Sequence, residues 1–349
     1  MVAHFRSEEL YMADGQSCTL IGTVKDEGPY LLEWICYYKL IGFDKIAIAS
    51  NDCNDGSRQM LDYLDTVGEI IHLENSGHVS GTSADPQNRA YERLWENPFI
   101  KASDWVLVAD ADEFLNIHVG DGSVGALFAA LSEITPGRVD LISATWRVFG
   151  NSGIVKFEDE PVIAQFDHAA PEGINQIQRY TAFKTMFRPR VARKLSIHRP
   201  RLAPRFQDGR QPVQWVNGSG EAMPDRYLKQ GWRSFEEALG RDLVSMNHYM
   251  IKSSEAFLMK RYRGTANSAD QDRIDFSYFE TFNANDVEDK SIQRHVPALR
   301  KRVEELKREH PHLELLHNRS LEWHRQKLDR ARKEIISEAP EIALRLGIV

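Results

Sequence analysis

The chain has 349 residues, 42% of them hydrophobic and 27% charged, with a formal net charge of −7. That length suits one large domain with an appendage, able to fold on an apolar core without disulfides or a structural metal. The acidic balance excludes general attraction to nucleic acid or anionic lipid, while local basic clusters stay able to hold phosphates. The three cysteines, Cys18, Cys36 and Cys53, are an odd, widely spaced set with no partner at zinc-site spacing, which fits a reducing compartment. Met1 to Gln16 lacks the charged-then-apolar order of a signal sequence, and no run reaches the ~20 apolar residues of a membrane span. A cytoplasmic protein is expected, with docking on a membrane-bound acceptor and self-association left open.

In chain order, Thr19 to Val24 is an apolar, β-branched run that ends in Lys25-Asp26-Glu27-Gly28. Pro29 suits the first turn of a helix carrying Leu31, Leu32, Ile35 and Tyr38 on one face and closing near Gly42. Lys45 to Ser50 predicts a second strand, followed by the turn-rich Asn51 to Ser57 and a helix with Met60, Leu61 and Leu64. Glu69 to Leu73 predicts a third strand, and Gln87 to Trp95 a helix. Trp105 to Ala109 is apolar throughout, as a strand covered on both faces should be. A helix capped by Ser123 and a strand over Val139 to Val148 complete an alternating βα half.

From Asn151 to Gln230 the periodicity loosens, and short strands and loops are expected. Helical spacing returns at Ser253 to Arg263, again at Ile292 to Leu306, and in a charge-rich stretch from Leu321 to Ile336. The last two predict a helical hairpin. The expected organisation is an arm over 1–16, a catalytic domain over 17–270 and the hairpin over 285–349. The catalytic domain divides into a nucleotide-binding half, 17–150, and an acceptor half, 151–270.

Ligands of open α/β sheets sit outside the carboxyl ends of the strands. Three such ends are polar here: Thr23, Lys25 and Asp26; Asp52 and Asp55; Asp110, Asp112 and Glu113. Asp110-Ala111-Asp112 concentrates negative charge at the mouth of a buried strand, and magnesium or manganese commonly bridges such carboxylates to substrate phosphates. A capping role would account for one of these acids but not for the set. Lys260 and Arg263, three apart on an expected helix, share one face and supply candidate cations for a diphosphate, as does Lys25. Trp146, Tyr180, Trp215 and Trp232 are candidate sugar-stacking rings, each weighed against plain packing.

These motifs resemble glycosyltransferase family 2, in its branch with V-K-D/N-E and D-A-D-E-F motifs. The resemblance is carried by Thr23 to Gly28, by Asn51-Asp52-Cys53-Asn54-Asp55-Gly56-Ser57, where Asn54 departs from the usual Ser, and by Trp105 to Leu115. It continues through Phe149 to Gly153 and Asn247-His248-Tyr249 as far as Gly264. It implies a GT-A fold, a Rossmann-like and mostly parallel sheet flanked by helices, with the hairpin as a C-terminal extension. It also implies inverting transfer of a sugar from a nucleoside diphosphate sugar to a glycan or glycoconjugate hydroxyl, assisted by Mn2+ or Mg2+.

On that resemblance Thr23 and Asp55 lie near base and ribose, with Asp52 a second candidate. Asp110 faces ribose or metal, Asp112 ligates the metal, and His248 is a further ligand with His198 as its rival. The base that accepts the acceptor's proton stays open among Asp167, Glu172, Asp208, Glu221 and Asp225, with Asp208 and Glu221 carried forward beside Asp112 as catalytic candidates. Three competing readings are a sugar nucleotidyltransferase, a catalytically silent glycan-binding or scaffold protein, and a dinucleotide-binding dehydrogenase. The first loop's two acids and single glycine disfavour the first, the intact acid pair the second, and the lack of G-x-G-x-x-G after the first strand the third.

Overall fold

A computed structural model describes residues 15–77, 83, 85–171, 178–263 and 275–349; the side chains at 178, 179 and 263 lie outside that set. So do most of the arm expected over 1–16 and Glu172. The alternating half forms as its apolar runs predict: β1 (Cys18–Val24), α1 (Gly28–Leu40), β2 (Lys45–Ser50), α2 (Ser57–Thr66), β3 (Ile71–Glu74), α3 (Pro86–Trp95) and β4 (Trp105–Val108). β5 (Glu113–Ile117), α4 (Val124–Ile134) and β6 (Leu141–Val148) follow. Pro29 stands in the first turn of α1, and the Ser123 side chain caps α4 by accepting from the Ala126 N–H.

The looser region contributes β7 (Phe183–Phe187) and β8 (Trp215–Asn217), and the segment after it β9 (Val244–His248), to one nine-stranded sheet of order β3-β2-β1-β4-β7-β6-β9-β5, with β8 on β6. β1 pairs in parallel with β2 and β4, while β7 runs antiparallel between β4 and β6, and β5 antiparallel to β9. The sheet is therefore mixed and mostly parallel, as expected. Alternate residues feed opposite faces. Leu20, Ile48 and Leu107 join one apolar core, and Ile21, Ala49 and Val108 the other.

Three helices close the first face. These are α5 (Ser254–Arg263), α6 (Val296–Glu309) and α7 (Pro311–Glu338). The sequence places the start of the last at Leu321, ten residues late, because the buried face of its first turns mixes Leu313 and Leu316 with the polar His317 and Ser320. α6 packs on α1, and α7 packs on α1, α2 and α5. Leu299, Leu306, Leu313 and Leu328 share the core of the sheet with Leu31 and Ile35 of α1. Gly28, the first residue of α1, lies so close to Ser320 of α7 that a Cβ there would overlap the serine side chain.

Candidate active site

The parallel pairing of β1 with β2 and β4 brings their carboxyl ends to one edge of the sheet. Thr23, near the end of β1, accepts a hydrogen bond from the Gln87 amide at 3.2 Å. The same amide reaches Asp110 Oδ1 at 3.3 Å and Tyr91 at 3.0 Å, so three elements meet around one side chain. Lys25 follows in the adjoining loop and is half-buried. Asp52 is exposed at a left-handed φ of 48°, where its backbone N–H donates to Ser76 Oγ at 3.0 Å.

Asp55, implied to lie near base and ribose, is held by backbone amides. Its two oxygens accept from the backbone N–H groups of Gly28 and Ser57, each at 2.8 Å, and it is buried. Those donors open α1 and α2, so a carboxylate there satisfies orphan amides at two helix N-termini. Asp26, Cys53 and Asp55 form the one group of three metal-capable side chains within 4.8 Å of one another among the described residues. Asp26 accepts from the Asn54 N–H at 2.6 Å, and burial pushes the Cys53 thiol up to about 12. These contacts knit two loops together.

The D-A-D-E-F segment is positioned by β5. Glu113 sits opposite His248 of β9, and the Tyr249 N–H donates to the Asp112 carbonyl at 2.9 Å. Two acid–base groups result. In the first, Lys184 of β7 donates to Asp110 at 2.8 Å and stands 3.0 Å from the fully buried Glu113. Glu113 also accepts from the Asp110 N–H and the Trp146 indole, both at 2.8 Å. Burial pushes Glu113 up against the pull of Lys184, whereas the two acids outweigh burial at Lys184 and keep it a cation.

In the second group, Asp112 Oδ1 lies 3.3 Å from His248 Nε2 and Oδ2 accepts from Lys260 of α5 at 2.9 Å. Burial opposes ionisation of Asp112, yet Lys260 and His248 outweigh it and hold the acid well below the usual carboxylate range. Among the described residues His248 Nδ1 is buried with no hydrogen-bond partner, 3.8 Å from Glu113 Oε1. Asp112 and His248 are thus adjacent. Asp110 is committed to Lys184 instead, and the three side chains are not gathered within 4.8 Å of one another. Lys260, expected as a cation for a diphosphate, donates to Asp112; the Arg263 side chain lies outside the described residues.

Trp146 packs its ring 4.3 Å from His248 and 5.6 Å from His198, and His198 stacks on Trp232 at 4.5 Å. Burial, aided by Lys184, pushes His198 down to about 3, so it is a neutral ring in this wall. Trp215 and Tyr180 are packing residues: the indole donates to Ser143 at 2.8 Å, and the phenol to the Thr281 carbonyl. Asp208 pairs with Arg210 at 3.0 Å on an exposed loop, and Glu221 accepts from Asn217 at 3.2 Å at the end of β8. Neither is joined to the two acid groups by a hydrogen bond or ion pair among the described residues. Lys184 and Gln87 were not singled out from the sequence. The available signal for Lys184 was a lone cation inside the apolar run Phe183 to Phe187.

The chain matches the model of glycosyltransferase family 92 over residues 20–218. No curated protein matches it. Among solved structures it is similar to TarS of S. aureus, with 11% identity over 76% of this chain and 43% of that one and a TM-score of 0.32. It is also similar to glucosyl-3-phosphoglycerate synthase of Mycobacterium tuberculosis in complex with Mg2+ and uridine diphosphate, with 12% identity over 38% and 44% of the chains and a TM-score of 0.24. A third likeness is to an active-site mutant of LgtC, at 12% identity over 73% and 93% of the chains, with a TM-score of 0.30. The chain spans 41% and 43% of the length of the first two solved structures it matches. The resemblance read from the motifs holds at the level of a glycosyltransferase, and the family that matches is 92 rather than 2. That match runs from β1 through β8 over more than half of the chain, and the protein belongs to glycosyltransferase family 92.

Proposed function

We propose that the protein is an inverting glycosyltransferase that moves a sugar from a nucleoside diphosphate sugar to a hydroxyl of a glycan or glycoconjugate, with Mn2+ or Mg2+ as cofactor. The observation that carries this reading is the Asp112–His248–Lys260 group. It sets an ionised carboxylate, an imidazole and an ammonium side by side at the sheet's carboxyl edge. The donor set suits a hard divalent ion. Two ligands cis to each other at ~2.1 Å from an octahedral ion stand about 3 Å apart, and Asp112 Oδ1 and His248 Nε2 are 3.3 Å apart. Imidazole beside carboxylate favours manganese over magnesium.

Asp112 and His248 would hold the ion, which when bound neutralises charge on the donor diphosphate. Lys260 supplies a further cation for that leaving group, and Lys25 adjoins from the first loop. Asp110, in reach of Gln87 and beside Thr23, is assigned to the ribose, and Asp52 to the base edge. Asp55 is assigned to positioning, since both its oxygens are taken by helix amides. Trp146, His198 and Trp232 offer a ring wall for a sugar. In the transfer, the acceptor oxygen bonds to the anomeric carbon as the bond to the diphosphate oxygen breaks. That electron pair leaves with the diphosphate, and the hydroxyl proton passes to a carboxylate base.

Calorimetry of UDP and GDP against the protein with manganese or with EDTA tests the proposal. Binding is expected with manganese only, with Asp112→Ala lowering it at least about tenfold, ~1.4 kcal/mol, and His248→Ala lowering it less. Equal affinities with EDTA present would count against the metal-bridged donor.

A further inference from the structure

The stretch from Lys184 to Arg210 holds nine of the chain's 44 Lys and Arg and only one of its 51 Asp and Glu, Asp208. A chain that is acidic as a whole thus gathers cations in one place. After β7 the stretch forms a small antiparallel hairpin, Ala192–Lys194 against Arg201–Leu202, followed by the helical turn Pro204–Gln207. It is amphipathic. Val191, Leu195, Leu202 and Phe206 are buried in the core of the second face of the sheet, with Val108 and Phe187. Arg193, Lys194, Arg201 and Arg205, set between them in the sequence, are exposed. Burial of the apolar set fixes the hairpin and leaves its cations in solvent.

Arg201 stands directly across from Lys194 in the pairing register, and like charges so placed repel each other. One acid comes near, Glu92 at 4.0 Å from Lys194. Among the described residues no carboxylate pairs with Arg193, Arg201 or Arg205, and Arg205 is held by the Arg190 carbonyl, to which it donates at 3.2 Å. An aromatic ring adjoins these cations. Phe99 is 63% exposed on the helical turn Pro98–Lys101, which packs against Pro189–Val191 just before the hairpin. The Trp95 indole donates to the Arg193 carbonyl at 3.0 Å, and the Lys101 ammonium lies 5.6 Å over the Trp95 ring. Exposed cations around an exposed ring are the composition of a surface that rests on a bilayer, where the ring enters the interface and the cations meet anionic headgroups.

We propose that this patch docks the protein peripherally on an anionic lipid bilayer, with the hairpin cations on the headgroups and Phe99 as an apolar anchor. The proposal goes beyond the donor reading and does not depend on it. The patch is nevertheless close to the ring wall of the site. His198, stacked on Trp232, precedes Arg201 by three residues, which span at most ~11 Å. Docking therefore sets that wall near the headgroups. A bilayer accounts for more of the patch than a soluble polyanion does. An anionic glycan answers the cations but offers Phe99 no apolar layer, and the net charge of −7 over the chain opposes a nucleic acid.

The test is cosedimentation of the full chain with vesicles of phosphatidylcholine alone or with about 30% phosphatidylglycerol, at about 0.1 M salt. Each Lys or Arg near an anionic surface contributes about fivefold to partition, so the anionic vesicles should be preferred at least about a hundredfold. That preference should vanish near ~1 M salt. Arg193→Gln with Arg201→Gln should weaken binding to the anionic vesicles about twentyfold, and Phe99→Ser about tenfold. Lys301→Gln, 76% exposed on α6 across the sheet from the hairpin, should leave it unchanged. Circular dichroism checks the fold of each variant, and Arg193→Gln alone, expected to weaken binding about fivefold, carries the test if the double variant unfolds. Equal partition onto both vesicles, or indifference to the hairpin substitutions or to Phe99→Ser, overturns the proposal. So does hairpin-dependent binding of heparin by a protein that ignores the vesicles, which would assign the patch to an anionic glycan.

Discussion

At the scale of single residues, the site is organised by pairing buried charges. Glu113 is fully buried and sits 3.0 Å from Lys184, which is itself fully buried. Removing one member of such a pair strands the other in a medium that solvates it poorly, at a cost of about 3–5 kcal/mol. Lys184→Met should therefore lower stability by that order in urea denaturation at pH 7, and an unchanged midpoint would show that the ammonium is not the partner of both acids. The sequence made Asp110 and Asp112 visible because two acids flanking a small residue after an apolar strand form a local pattern. It did not reveal that Asp110 answers to Lys184 while Asp112 answers to Lys260 and His248. Those partners lie 74, 148 and 136 positions away along the chain, and no local period connects them.

At the scale of elements, α1 is the hub. Its Trp34 and Tyr37 donate to the carbonyls of Glu113 and Leu115 at 3.1 and 2.7 Å, fastening the helix to β5. On its other side Glu33 accepts from the Val162 and Ile163 N–H groups at 2.8 and 3.1 Å, tying the segment after Pro161 to the same helix. Burial pushes Glu33 up to about 7, from 4.5. The folded state thus holds this proton more tightly than the unfolded chain. The contribution is fully present below pH ~4.5 and is lost as pH rises through ~7, by about 3 kcal/mol for the whole span. Glu33→Gln cannot ionise, so its stability relative to the native protein should rise between pH 4.5 and pH 8. Thermal melts of both proteins across that range would show parallel curves if Glu33 titrated normally. α1 itself was legible from Pro29 and its apolar spacing. Its tie through Glu33 was not, because a glutamate on a helix reads as a solvated residue until the fold covers it.

For the molecule as a whole, the C-terminal helices share the apolar core that covers one face of the sheet. Leu299, Leu306 and Leu313 are buried in the same cluster as residues of β1 and α1. A protein ending at Lys290 would expose that face of α1 to water and is expected to be recovered aggregated or with strong dye binding to exposed apolar surface. Recovery of a truncated protein with native near-ultraviolet circular dichroism and UDP binding would show that the helices are dispensable. Among the described residues no helix is long and apolar enough to cross a membrane. The sequence by itself determined the alternating βα half, the helical character of the last third and the acids at the strand ends. Each of these is written in spacings of two to four residues, within reach of a local period. Only the tertiary structure decided that β5, β7 and β9 complete the sheet, that Lys184 and Lys260 divide the acids between them, and that α7 packs on α1, α2 and α5. Those outcomes depend on which surfaces bury one another across more than a hundred residues of chain, and burial, not local pattern, sets the energy of charges held out of water.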